Sequence, residues 1–193
     1  NFLSAFNKDI TVTYSAIIFP VVMFALTIIA FFLFTRKIFY KEDKNLRNAM
    51  ALIATAIFAL IPSLLPRTIA GIPEKESAAF FFLFMGLYFF LEAATSEKLK
   101  RGLIFGVLSG FFTALIALTW GGIVLIFFSI PPAILLAFIL GKVKKKEFFI
   151  YSSWMITSFI VMMPNFKTGI IYEIFSARTY DLRNLLDSTT TGL

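Results

Sequence analysis

The sequence predicts an all-α fold, a polytopic transmembrane helical bundle of about six spans, and three observations carry that prediction. Apolar residues make up 59% of the 193-residue chain and 26 residues are Phe, with a mean hydropathy of +0.87, more hydrocarbon than a water-facing surface accommodates. Several apolar runs approach the roughly 20 residues that a helix needs to cross a hydrocarbon core about 30 Å thick. Basic residues gather in short turns between those runs, which is the pattern that orients helices in a bilayer. Isolated strands are excluded because an open sheet would leave backbone groups unpaired in lipid.

The expected spans are 14–34, 48–65, 78–94, 103–118, 123–140 and 148–163. The first is an almost uncharged run interrupted only by Pro20, which removes an amide donor and is expected to kink the helix. The second lies between a basic turn (Arg36, Lys37, Lys41, Lys44, Arg47) and a break at 66–77 that holds the acids Glu74 and Glu76. The third carries Glu92 near the end opposite that break, where a carboxylate can pair with a basic neighbour or snorkel to the headgroups. Lys98, Lys100 and Arg101 form the next basic turn. In the fourth span Gly102, Gly106 and Gly110 recur every four residues, which lines one helix face and lets a neighbouring backbone approach. Trp120, Gly121 and Gly122 join it to the fifth span, consistent with an interfacial Trp and a glycine turn closing a tight hairpin. Pro131 and Pro132 fall inside the fifth span, and Lys142, Lys144, Lys145 and Lys146 separate it from the sixth.

If the basic turns face the cytoplasm, residues 1–13, the acidic break at 66–77, the 119–122 hairpin and a tail at 165–193 all face outward, around a bundle at 14–164 of an integral protein of the cell membrane. The formal charge of +7 is thereby a topology signal. A nucleic-acid surface is disfavoured, because the basic turns are brief and carry no aromatic platforms. Cysteine and histidine are both absent, which removes disulfides, thiolate and imidazole chemistry and His-based zinc sites; any metal must be held by oxygen. The first residues lack the basic-then-apolar order of a signal peptide. A start at Asn1 and an end in "STTTGL" lead us to expect a piece of a longer protein.

The acidic break reads "RTIAGIPEKE" from Arg67 to Glu76. In one account Glu74, Glu76 and Ser77 cap the free amides of the helix that follows and complement its positive end. In the other, Gly71 and Pro73 enforce an extended path on which residues i and i+2 point the same way, so both carboxylates meet one cation. Carboxylates without imidazole or thiolate favour a hard ion, Mn2+ or Mg2+, which commonly bridges protein acids to phosphate. At a membrane surface the fitting phosphate compound is a lipid-linked one.

"RTIAGIPEKE" resembles the second acidic motif of the oligosaccharyltransferase catalytic subunits, and "LTWGG", Leu118 to Gly122, is similar to that family's Trp-Gly-Gly element one helical hairpin later. The archaeal form of both motifs is the nearest. The resemblance covers most of 14–140 and implies an inverting membrane glycosyltransferase of the GT-C type. Such an enzyme moves a glycan from a dolichol-linked phosphate or diphosphate to the amide nitrogen of Asn in an Asn-x-Ser/Thr sequon of an acceptor polypeptide. Carried over by motif, Glu74 and Glu76 contribute to the divalent-ion site, Glu74 being the firmer assignment. Arg67 either lies beside the donor phosphate or tethers the loop, and Trp120, Gly121 and Gly122 form an outer hairpin near the donor site.

The departures define what else to expect. Nothing in residues 1–13 matches the family's first acidic motif, Asp9 being a lone acid. Its outer-loop Glu and its Trp-Trp-Asp sequon reader are not found, although "ARTYDLRNLLD", Ala177 to Asp187, faintly resembles the stretch before that loop. The residues given are therefore expected to hold no catalytic residue and to be inactive alone. Alternatives are another polytopic glycosyltransferase using lipid-phosphate sugars, and a non-enzymatic transporter or structural module. A transporter predicts ionisable groups deep in the spans, and beyond Glu92 none are seen.

Overall fold

The computed structural model describes residues 12–62, 64–72 and 74–166. Asp9 and the 177–187 stretch lie outside the described residues, as do nearly all of the 1–13 segment and of the 165–193 tail. Among the described residues there are six α-helices and no strand: α1 (Val12–Ile38), α2 (Lys44–Ala59), α3 (Glu76–Ala94), α4 (Leu99–Thr119), α5 (Ile123–Ile139) and α6 (Lys145–Phe166), with a short 3-10 turn at Leu65–Arg67.

All six expected helices form, and the differences lie at their ends. α2 begins a turn early because the Asp43 carboxylate caps it, accepting from the Asn45 amide at 3.0 Å. It stops at Ala59 instead of 65, since Pro62 cannot continue the amide ladder and disfavours helical geometry at Ile61. The outer connection is consequently longer than the expected 66–77. α6 starts at Lys145, where Glu147 reaches back to accept from the Lys144 amide at 3.0 Å, half of a capping box. Both α1 and α5 run on through Pro20 and through Pro131 and Pro132.

Packing is organised around α4, which lies between α3 and α6; α1 packs on α3 and α2 on α1, with α5 more loosely at the flank. The glycine face expected on α4 meets α6. A Cβ added at Gly110 would stand 2.8 Å from the Thr157 Cβ and 3.1 Å from the Ser158 amide nitrogen, and one at Gly106 would stand 3.1 Å from the Ile150 carbonyl. Only hydrogen side chains allow this approach, and small polar groups then bond across it. The buried Trp154 donates its Nε1–H to Thr113 Oγ1 at 3.0 Å, Ser158 donates to the Gly110 carbonyl at 3.3 Å, and Ser109 donates to the Gly86 carbonyl at 2.8 Å. Between α1, α2 and α3, the rings of Phe31, Phe58 and Phe84 interlock, with Phe31 and Phe58 stacked at 4.2 Å.

The apolar side chains left outside are large: Phe128 is 77% exposed and Ile139 71%. Such a surface is stable only against hydrocarbon. Among the described residues three helices, Tyr14–Ile38, Glu76–Ala94 and Leu99–Thr119, are long and apolar enough to cross a membrane. α5 is apolar but shorter, at 17 residues.

Candidate functional site

The two motifs singled out in the sequence lie at one end of the bundle. After α2 the chain turns at Leu65–Arg67, and Thr68, buried, donates to the Leu64 carbonyl at 3.2 Å. Gly71 then adopts φ +90°, a left-handed conformation that L side chains rarely take, and donates its amide to the Ile17 carbonyl at 3.2 Å. This bond ties the loop to the beginning of α1. The Glu74 amide closes a tight turn onto the Ile72 carbonyl at 2.8 Å.

At Glu74 to Glu76 the extended path expected from Gly71 and Pro73 does not hold. Lys75 sits at φ −64°, ψ −25°, and Glu76 is already the first residue of α3. In helical geometry residues two apart diverge instead of aligning. Backbone hydrogen bonding decides this: Ser77 donates both its amide and its hydroxyl to the Glu74 carbonyl, at 3.3 and 2.7 Å, which winds the chain into the first turn of α3.

The side chains do not cap the helix either. The capping residue is Lys75, without a side-chain hydrogen bond to the free amides. Glu76, with a side chain 16% exposed, pairs instead with Arg67, Nη1 to Oε1 at 3.5 Å, while its charge still complements the positive end of α3. This pair links the Leu65–Arg67 turn to the first turn of α3. The Glu74 carboxylate is half-buried and has no ion pair or hydrogen bond among the described residues.

Trp120 ends α4 in an extended conformation, its amide bonded to the Ile116 carbonyl at 2.7 Å. Its indole packs on Phe80, ring centroids 5.7 Å apart, and Phe80 is one helical turn beyond Glu76. The hairpin thus stands beside the start of the acidic helix, a juxtaposition no spacing rule could give. Its glycines are not there for unusual dihedrals: the positive-φ glycines among the described residues are Gly71 and Gly141. Gly122 is glycine because the indole of Trp120 lies where its side chain would be, whereas Gly121 faces open space.

At the opposite end the basic turns converge. Glu92 accepts from Lys37 at 2.9 Å and lies 3.8 Å from Arg101, and Lys146 donates to the Ser96 carbonyl at 2.7 Å. Glu92 is accordingly paired rather than snorkelling. The basic turns at one end and the acidic loop at the other give the bundle the polarity expected of a membrane-oriented protein.

A family model described as oligosaccharyl transferase STT3, N-terminal, matches residues 2–182. The chain belongs to the STT3 oligosaccharyl transferase family. It is 27% identical over 116 residues to the dolichyl-diphosphooligosaccharide–protein glycosyltransferase subunit STT3B of Oryza sativa subsp. japonica, covering 60% of this chain and 16% of that protein. It is 25% identical over 116 residues to the corresponding STT3 subunit of Saccharomyces cerevisiae, with the same coverage, and 29% identical over 112 residues to STT3A of Oryza sativa subsp. japonica, covering 58% of this chain and 14% of that one. The chain therefore aligns with about one sixth of the length of these relatives.

Proposed function

We propose that this STT3-family chain is the donor-side membrane portion of an inverting oligosaccharyltransferase of the GT-C type, six-spanning, with the acidic loop on the extracytoplasmic face of the cell membrane. Its reaction moves a glycan from a dolichol-linked phosphate or diphosphate onto the Asn amide nitrogen of an Asn-x-Ser/Thr sequon. The observation that carries this reading is the clustering of Glu74, Glu76, Arg67 and Trp120 at one end of a bundle that belongs to the family as a whole.

Glu74 and Glu76 fit a hard divalent ion in chemistry but not in number. Hard cations take six or more oxygens, and among the described residues no group of three or more acids is present. Glu74, with its uncommitted carboxylate, would hold Mn2+ or Mg2+ together with ligands from beyond the described residues, and Glu76, which diverges from it and is paired with Arg67, would reach that ion through a water rather than directly. When bound, such an ion neutralises charge on a departing phosphate. The chain's own contribution is placement: the Gly71 to Ile17 bond and the Arg67–Glu76 pair fix the loop over the mouth of the bundle, and Trp120 and Phe80 wall its side. No catalytic base or nucleophile is assigned to the described residues.

The test is glycosylation of a fluorescent Asn-x-Thr peptide by the full-length protein in membranes, with extracted lipid-linked oligosaccharide as donor. Glu74→Gln is expected to lower kcat/KM by about 100-fold or more, in the range seen when one electrostatic stabiliser of a transition state is lost, and to weaken Mn2+ activation. Unchanged activity and unchanged Mn2+ dependence in Glu74→Gln would remove the metal role, and sugar appearing on lipid instead of peptide would replace the acceptor.

A further inference from the structure

At the basic end, remote from the acidic loop, the α1–α2 turn and the side of α3 enclose a cavity of about 140 Å3 walled by Arg36, Lys37, Arg47, Tyr40, Tyr88 and Glu92. Three cations face one anion there, and the anion is already engaged, with Lys37 at 2.9 Å and Arg101 at 3.8 Å from its two oxygens. Arg36 is held by its Nε, which donates to Asn48 Oδ1 at 2.8 Å, so its terminal nitrogens remain for another acceptor. Arg47 is the decisive residue. Its Nε is buried and has no acceptor among the described residues, although its backbone amide is satisfied by the Asp43 carbonyl at 2.8 Å. A permanently charged group whose buried N–H lacks an acceptor is disfavoured until one arrives.

We infer that this cavity binds a phosphate group, that of an anionic phospholipid at the membrane surface on the basic side. Two guanidinium forks match phosphate oxygens in plane. A lipid, as opposed to a free anion, is favoured by the surroundings: Tyr40, which lines the cavity, is 44% exposed, and Ile38 and Leu46, chain neighbours of the lining residues Lys37 and Arg47, are 49% and 50% exposed at the end of apolar helices. Acyl chains would run along that surface while the headgroup enters. Phosphatidylcholine shares the phosphate, but its ammonium would face the same cations, so an anionic headgroup is selected.

The purified protein in neutral detergent is equilibrated with phosphatidylglycerol or phosphatidylcholine and bound lipid is counted by native mass spectrometry, at low salt and at 1 M NaCl. Diffuse surface attraction is lost at that salt, where the screening length is about 3 Å, whereas enclosed pairs are screened much less. Expected is a salt-resistant preference for phosphatidylglycerol that falls about tenfold in Arg47→Gln and in Arg36→Gln and stays within twofold in Lys142→Gln, a basic residue of another turn. Displacement of the lipid by millimolar inorganic phosphate would overturn the lipid assignment in favour of a free phosphate. Equal retention of both lipids by the unaltered protein, or equal loss in all three variants, would overturn the site; the unaltered protein decides this even if Arg47→Gln fails to fold by circular dichroism.

Discussion

Arg67 and Glu76 are nine positions apart, on a 3-10 turn and on the first turn of α3, and their 3.5 Å contact is what converts a sequence motif into a shape. The Arg67 side chain is 45% exposed, so water competes for it and the pair contributes at most about 1 kcal/mol. A double-mutant cycle with Arg67→Gln and Glu76→Gln, followed by thermal unfolding, should give a coupling of about 0.5 kcal/mol. The same variants separate tether from substrate contact: if Arg67 only holds the loop, Arg67→Gln raises the KM for the lipid donor no more than Glu76→Gln, which loses the tether and a group of the ion site together. A much larger increase in Arg67→Gln alone would mean that its guanidinium also meets the donor phosphate.

Among the elements, the α4–α6 seam bears the tightest constraint. Gly110→Ala sets a methyl against the Trp154 carbonyl and the Thr157 Cβ, at 2.5 and 2.8 Å, so backbone must separate; overpacking of this kind costs about 1–3 kcal/mol. Gly86→Ala on α3 meets nothing closer than 3.6 Å, and removing a helix-interior glycine gains about 0.5–1 kcal/mol. Melting temperatures of the two variants should therefore move in opposite directions. That contrast was legible in part. The four-residue glycine spacing in α4 announced a packing face, but nothing local distinguished Gly86, because the cost depends on which neighbour arrives. Helix existence was equally legible from unbroken apolar runs, while ends were set by single interactions such as the Asp43 cap and Pro62. The acids showed the same limit: their identity was visible in "PEKE", yet whether they align depended on Ser77 bonding back to Glu74, which turned an expected extended segment into the start of α3. Arg36 and Arg47 carried no signal beyond topology, since a cavity between α1, α2 and α3 exists only once those helices meet.

For the whole molecule, the orientation rests on basic turns at one end and the acidic loop at the other, and α5 is where that arrangement is most exposed to test. Its 17 residues at about 1.5 Å rise each cover roughly 25 Å, short of a core of about 30 Å. A short helix is accommodated by local thinning or by snorkelling flanks, and α5 has Trp120 before it and Lys142, Lys144 and Lys145 after it as anchors. Because the chain has no cysteine, single replacements report position cleanly. Lys75→Cys, Lys98→Cys and Lys142→Cys all fall at exposed residues in the α2–α3, α3–α4 and α5–α6 connections. With a membrane-impermeant maleimide on sealed, right-side-out vesicles, Lys75→Cys should label at once, and Lys98→Cys and Lys142→Cys only after permeabilisation. Labelling of Lys142→Cys alongside Lys75→Cys would show that α5 turns back within the membrane; the tip of that re-entrant segment would then lie within α5, where Pro131 and Pro132 fall, and a bundle with fewer spans would have to carry the acidic loop.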